Sequence, residues 1–333
     1  MPDFSLDAFR AAADLVWPHI RRTPLLRGAA LSEATGCDVW LKCETFQVTH
    51  SFKDRAAFGA LLPRLAEARE RGIATSSSGN FAQAAAYAGR KLGVAVTVVM
   101  MESARPNKVA ATRAHGAEIA FCPPDFAPRE AALDRLLAET GRLKVHPYDD
   151  EFTVRGNGTL GFELLEEAPD AAAVVIPVGG GGLIAGAAAV LKQGDFGGRI
   201  YGVQPELNPA FRSALAAGEL IPQPFARSIA DGLLATAPGA TGFALARQYV
   251  DGALEASEAE IASATLQLFE DEKVLVEPSG AVAVAALIRD LARGYRGQKV
   301  VCVLSGANLD LAGLAEVAAT WRRLPTPDAL ARS

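Results

Sequence analysis

The stretch Ala173–Leu191, AVVIPVGGGGLIAGAAAVL, holds the key to the fold. Its first six residues, Ala173–Val178, form an unbroken apolar run rich in β-branched side chains. Such a run suits a parallel strand buried on both faces. Leu183–Leu191 is rich in Ala and Leu, which favours a helix. Between them, Gly179, Gly180, Gly181 and Gly182 allow the backbone to approach a ligand closely. Their amides, beside a helix N-terminus, form a cradle for phosphate. The turn lacks the Gly-Lys-Ser/Thr of a Walker A loop and is not an ordinary dinucleotide fingerprint. A plain flexible turn is the alternative reading.

Outward from this unit the alternation continues. Apolar runs at Val94–Val99, Ile200–Val203 and Val300–Leu304 predict further parallel strands. Amphipathic or Ala-rich stretches at Asp54–Arg71, Asn80–Leu92, Asn107–His115, Arg129–Glu139, Glu258–Glu270 and Ala281–Ala292 predict helices, with Pro63 dividing the first. An α/β architecture follows. Phe121–Pro128 and Leu220–Pro224 read as surface connections. Lys144–Gly158, with its Asp and Gly residues and no periodicity, reads as a crossover. A chain of 333 residues, half of them hydrophobic, exceeds the usual single core, so two domains or one large α/β unit are expected.

Composition excludes several classes. With 33 basic and 38 acidic residues the net charge is -5, which leaves no basic footprint for nucleic acid. No apolar stretch approaches the roughly 20 residues of a membrane span. The start, MPDFSLDAFRAAADLV, has no signal-peptide pattern, and a cytoplasmic location is expected. Cys37, Cys43, Cys122 and Cys302 contain no CxxC pair, and His19, His50, His115 and His146 are scattered. No metal site is expected.

Three further segments carry polar groups where ligands bind. Ser51-Phe52-Lys53-Asp54-Arg55 puts a lysine at the start of a predicted helix. The dipole there favours anions, and both dipole and desolvation lower a lysine pKa, as a Schiff-base lysine requires. The alternative is a solvated lysine balanced by Asp54. Ser76-Ser77-Ser78-Gly79-Asn80 precedes a helix and offers hydroxyls and amides to a carboxylate, or else is an ordinary N-cap. Leu304-Ser305-Gly306-Ala307-Asn308 places a hydroxyl at the carboxyl end of a strand, where parallel sheets bind ligands, or else is a strand-ending turn.

Taken in order, these segments resemble the fold type II (tryptophan synthase β-like) pyridoxal-phosphate enzymes, in the branch of serine/threonine dehydratases and serine racemases. The matching pieces are Thr23–Arg55, Ser76–Gly93, PVGGGGLIAG (Pro177–Gly186), GVQPE (Gly202–Glu206), IADG (Ile229–Gly232), EPSGA (Glu277–Ala281) and LSGAN (Leu304–Asn308). They span nearly the whole chain. The resemblance implies two domains, each a largely parallel sheet flanked by helices, with the cofactor in the cleft between them. Residues 1–47 and 149–333 would form the large domain, and residues 48–148 the small domain with the substrate loop.

The resemblance also implies roles. Lys53 carries pyridoxal 5'-phosphate as a Schiff base and takes the Cα proton. Phe52 packs beside the ring, Asn80 bonds its hydroxyl, and Ser305 faces its nitrogen. Gly179, Gly180, Gly181 and Gly182 bind the phosphate, and Gly232 and Glu277 line the pocket. Ser77, Ser78 and Asn80 grip the substrate carboxylate. Ser78 matches the second catalytic residue of racemases. Arg129 matches an arginine that reaches a substrate side-chain carboxylate. Relatives are often homodimers. The implied reaction is β-elimination from threonine or serine to a 2-oxo acid and ammonia.

The chain departs from the family pattern at several positions. His50 and Ala56 stand where glycine is usual, and Phe81 stands where many dehydratases have histidine. Phe81 leaves room for phenylserine, whereas Arg129 points to 3-hydroxyaspartate. At the cation site of some relatives, Gln204, Asn208 and Ala210 lack carboxylates, so no metal is expected there. No regulatory domain is expected after the last motif. Racemisation is the nearest rival activity. Threonine synthases share the Ser-Phe-Lys-Asp-Arg string, so Asp54 slightly raises that alternative, although Leu304–Asn308 fits the dehydratase branch better; a non-catalytic binding protein is the rival from another class.

Overall fold

The computed structural model describes residues 2–123 and 126–324. Ten strands run in chain order: β1 (Leu25–Arg27), β2 (Asp38–Cys43), β3 (Ile73–Ser76), β4 (Val96–Met101), β5 (Glu118–Cys122), β6 (Leu143–Lys144), β7 (Ala173–Pro177), β8 (Arg199–Pro205), β9 (Gly252–Ala256) and β10 (Lys299–Leu304). They form a six-stranded sheet, ordered β1-β2-β10-β7-β8-β9, and a four-stranded sheet, ordered β5-β4-β3-β6. Among the ten described strands, β1–β2 is the one antiparallel pair. The architecture is therefore α/β with largely parallel sheets, as the apolar runs predict.

Burial explains those runs. Every residue of β7 is buried, as are β3 and nearly all of β10. The larger sheet packs against the helices Glu258–Glu270 and Pro278–Ala286 on one face and Gly182–Gln193 on the other. Around the smaller sheet, the helices Lys53–Leu61 and Asn80–Leu92 build a second core with Ile73, Val96 and Val98. Cys37, Cys43, Cys122 and Cys302 are buried free thiols.

The first predicted helical stretch divides at Pro63 as expected, through a 3-10 turn at Leu62–Arg64. The stretch Ala281–Ala292 ends instead in a π-type turn at Leu287–Leu291. Of the connection expected at Phe121–Pro128, Phe121 and Cys122 close β5 and residues 126–128 open the helix Phe126–Thr140. Residues 124 and 125 lie outside the described residues.

The expected crossover at Lys144–Gly158 is the main correction. Its second half opens a seventeen-residue helix, Glu151–Glu167, capped by Asp150, whose carboxylate accepts from the amides of Phe152 (2.9 Å) and Thr153 (3.0 Å). The glycines that hid its periodicity are contact points. A Cβ on Gly156 would lie 2.3 Å from the Arg55 carbonyl oxygen, and one on Gly59 only 2.5 Å from the Gly156 Cα. The helix backbones of Lys53–Leu61 and Glu151–Glu167 thus touch directly. We predict that Gly156→Ala lowers stability by about 2 kcal/mol or more, because overpacking here must displace backbone. A urea unfolding midpoint equal to that of the parent protein would refute this.

Candidate active site

Three segments singled out in the sequence lie at the carboxyl ends of parallel strands. The glycine turn follows β7, Ser305 follows β10, and Ser77–Asn80 follows β3. Such ends collect ligands in open α/β sheets. The fourth, Ser51–Arg55, joins them through backbone pairing. The Phe52 amide donates to the Ser305 carbonyl at 3.0 Å, and Ser51 bridges Gly306.

Lys53 is the first residue of its helix. Its Nζ donates to the Pro147 carbonyl at 2.8 Å. The ring centre of Phe52 lies 4.8 Å from that nitrogen, and that of Phe81 5.5 Å. Burial pulls the Lys53 pKa down to about 7. Desolvation is the cause of this shift. Asp54 does not balance Lys53. Its carboxylate accepts from the Thr49 amide (3.0 Å) and hydroxyl (2.5 Å), and burial raises its pKa to about 6.

Two residues on, Arg55 anchors the helix. Its guanidinium is fully buried and commits all five N–H groups. Glu44 receives two, at 2.8 Å each; Glu163 receives two, at 2.6 and 2.9 Å; Thr159 receives one, at 3.0 Å. Lys42 on β2 pairs with Glu163 (2.8 Å) and Glu167 (2.7 Å) and donates to the Thr23 carbonyl. Burial opposes the Arg55 charge, but the Glu44 and Glu163 carboxylates outweigh it and hold the guanidinium protonated. The helix carrying Lys53 is thereby fixed to β2 and to the helix Glu151–Glu167.

The glycine turn is closely walled. A Cβ on Gly180 would lie 2.2 Å from the Tyr148 ring, and one on Gly179 3.1 Å from the Gly232 carbonyl. Gly181 has φ 89°, and the Gly180 carbonyl accepts from the Gly239 amide at 3.0 Å. The Gly232 amide in turn donates to the Ser279 hydroxyl at 2.8 Å.

Asn80 opens the next helix. Its Nδ2 donates to Glu277 Oε1 at 2.5 Å, and its Oδ1 accepts from Asn308 Nδ2 at 2.9 Å. Burial raises the Glu277 carboxyl above its ordinary range, against the pull of Lys108. Lys108 is itself buried and pairs with Asp231 at 2.8 Å. The Ser77 hydroxyl accepts from the Gly79 amide (3.3 Å), and the Ser78 hydroxyl from the Met101 amide (3.1 Å). A cavity of about 170 Å³ lined by Lys108, Asp231, Glu277 and Asn308, and another of about 600 Å³ lined by His50, Gln83 and Asn308, border the Asn80 side. Neither includes Lys53 or the glycine turn.

Comparison with known proteins gives this geometry a context. The model of the family "Pyridoxal-phosphate dependent enzyme" matches residues 16–306. The chain belongs to this family. Over 300 residues it is 40% identical to an L-threonine ammonia-lyase of Geobacter sulfurreducens, covering 90% of this chain and 74% of that protein. Maize serine racemase superposes with a TM-score of 0.90 at 31% identity, covering 95% of this chain and 97% of that one. A threonine deaminase from T.th. superposes at 0.86 with 39% identity, covering 92% and 99%.

The family's cofactor suits the residues present. A turn without side chains suits a phosphate, and an amine that loses its proton near neutrality suits a Schiff base. The Ser51 hydroxyl, buried beside Lys53, has no protein partner among the described residues. Among the expected residues, Phe52, Lys53 and Phe81 cluster, as do Asn80 and Glu277, and Gly179 and Gly232. Arg129 is partly buried on the helix Phe126–Thr140, within electrostatic reach of Tyr148. The Gln204 Oε1 accepts from the amides of Phe211 and Arg212 at the start of the helix Ala210–Ala217. Pro147, Tyr148, Lys108, Asp231 and Asn308 were not singled out in the sequence as site residues. Asp231 lies in the IADG motif and Asn308 in LSGAN.

The low pKa of Lys53 has a direct readout. In cofactor-free protein, acylation of Lys53 should rise with pH through a midpoint near 7, well below that of exposed lysines. Mass spectrometry of competitively labelled peptides measures this, and a midpoint near 10 would contradict it.

Proposed function

We propose that the chain is a pyridoxal-phosphate-dependent ammonia-lyase converting threonine or serine to a 2-oxo acid and ammonia. The observation that carries this is Lys53, an amine held between two aromatic rings with its pKa drawn down to about 7. The 40% identity to an L-threonine ammonia-lyase and the 39% identity to a threonine deaminase support the reaction class.

When bound, pyridoxal phosphate would supply an electron sink for the pair left at Cα. The chain's own groups do the rest. In our assignment Gly179, Gly180, Gly181 and Gly182 offer amides to the phosphate, and Gly232 and Glu277 line the pocket. Phe52 lies against the ring. Asn80 donates to the ring hydroxyl. Ser305 faces the ring nitrogen with a neutral hydroxyl, which does not hold a proton there as a carboxylate does. Lys53 would hold the cofactor through Nζ and, once the substrate amine has displaced it, would accept the Cα proton at that freed nitrogen. At neutral pH a large fraction of that amine is already uncharged.

Ser77 and Ser78 read as carboxylate donors for a reason visible in their hydrogen bonds. Each hydroxyl oxygen accepts from a backbone amide, of Gly79 and Met101, leaving its O–H to donate. Phe81, 1% exposed, supplies an apolar wall beside Lys53 that excludes water. Arg129 is assigned to a substrate side-chain carboxylate, which would favour 3-hydroxyaspartate, whereas Phe81 would favour phenylserine. The division into residues 1–47 with 149–333 and residues 48–148 belongs to this reading. All four strands of the smaller sheet fall between residues 73 and 144, which supports it. A racemase reading rests on Ser78 and on the likeness to maize serine racemase.

The decisive assay feeds single stereoisomers of serine, threonine, 3-hydroxyaspartate and phenylserine and follows products. Equimolar 2-oxo acid and ammonia from L-threonine or L-serine are expected. Inverted amino acid without ammonia would favour the racemase. Lys53→Ala should lose the visible absorbance of bound cofactor and about a thousandfold or more of the activity. An unchanged spectrum would sink the assignment.

A further inference from the structure

Asn308 has no role in the reading above, yet it touches two elements of the site at once. Its Nδ2 donates to the Thr49 carbonyl and to Asn80 Oδ1, both at 2.9 Å. A backbone carbonyl can only accept, so the Thr49 contact decides which end of the Asn308 amide faces inward. That end is a donor, and a donor requires the oxygen end of Asn80. The Asn80 nitrogen is then turned to Glu277 Oε1, which accepts one of its N–H groups. One N–H of Asn80 is used in that bond, and the other remains to donate.

Thr49 is itself held. Asp54, one residue after Lys53, accepts from both its amide and its hydroxyl. The chain of contacts therefore runs from the Lys53 helix through Thr49 and Asn308 to Asn80, and ends at Glu277. It joins the turn after β10 to the loop after β3.

We propose that Asn308 is a positioning residue that sets the amide orientation of Asn80, so that Asn80 presents an N–H rather than a carbonyl to the cofactor ring oxygen. This rests on the assignment of Asn80 to that oxygen. In Asn308→Asp the new carboxylate faces two acceptors, the Thr49 carbonyl and Asn80 Oδ1. Asn80 can relieve this only by turning over, which sets its oxygen against Glu277. In Asn308→Ala the Asn80 oxygen loses its donor, but Glu277 still favours the original orientation.

The test titrates cofactor-free protein with pyridoxal phosphate and records affinity and the absorbance spectrum of the bound form. Asn308→Asp should weaken binding about tenfold or more, the scale of a lost hydrogen bond with an unpaired partner. It should also shift the absorbance, because an acceptor at the ring oxygen favours its protonated form. Asn308→Ala should weaken binding less and shift the spectrum less. A purely structural role would lower Tm and leave the spectrum of bound cofactor unchanged. Lys53→Ala serves as the control. If it loses the visible band while Asn308→Asp matches the parent in spectrum and affinity, the role of Asn308 is overturned and the site assignment stands. If Lys53→Ala keeps the band, the site assignment itself fails. Should Asn308→Asp not fold, Asn308→Ala decides: a parental spectrum and affinity overturn the proposal.

Discussion

The rest of the structure depends on a buried guanidinium. Arg55 lies two residues beyond Lys53 on the same helix and satisfies all five of its N–H groups inside the protein. Taking such a charge out of water costs several kcal/mol, and only complete pairing offsets this. Removing one partner of a buried pair typically costs about 3–5 kcal/mol, because the other charge stays buried. The gain is geometric. Glu44 comes from the turn after β2, and Glu163 and Thr159 both come from the helix Glu151–Glu167, so Arg55 can be satisfied only when these two elements are both in place. Lys53 inherits that placement through one half-turn of helix.

Glycine serves two opposite ends in this chain. In the turn after β7 its missing side chain clears room against Tyr148 and Gly232. In the helix Glu151–Glu167 the same absence lets two backbones meet. Gly156 lies against Arg55 and Gly59, while Gly158 and Gly186 meet on the opposite side. A glycine inside a helix costs about 1 kcal/mol relative to alanine. Here close packing on two neighbouring helices offsets that cost, and it brings Thr159 and Glu163 within reach of Arg55.

These two uses explain what could be read in the sequence. The strand–glycine–helix unit was legible because a strand buried on both faces leaves an unbroken apolar run. The place of Lys53 at a helix start was legible, and its desolvation there was partly so. The helix Glu151–Glu167 was hidden, because its glycines mark contacts with helices far away in sequence. β1, β2, β3, β5, β6 and β9 all lie outside the predicted strands: β1 and β6 are very short, β2 and β3 mix polar residues into their runs, and β5 and β9 are half exposed. The partners of Asn80 lie 197 and 228 residues away in the chain, so no local pattern pairs them. Pro147 and Tyr148 contribute a carbonyl and a ring face through placement alone, which residue type does not announce.

The buried thiols give the molecule an internal clock. Burial pushes the Cys43 thiol up to about 12 and raises Cys302 and Cys122 as well. A thiol that stays protonated and covered reacts only when its surroundings open. Cys43 and Cys302 sit on neighbouring strands of the larger sheet, and Cys122 on an edge strand of the smaller one. Their alkylation rates therefore time two openings separately. Equal rates mean that both sheets breathe as one cooperative unit; a faster Cys122 means that the smaller sheet yields first.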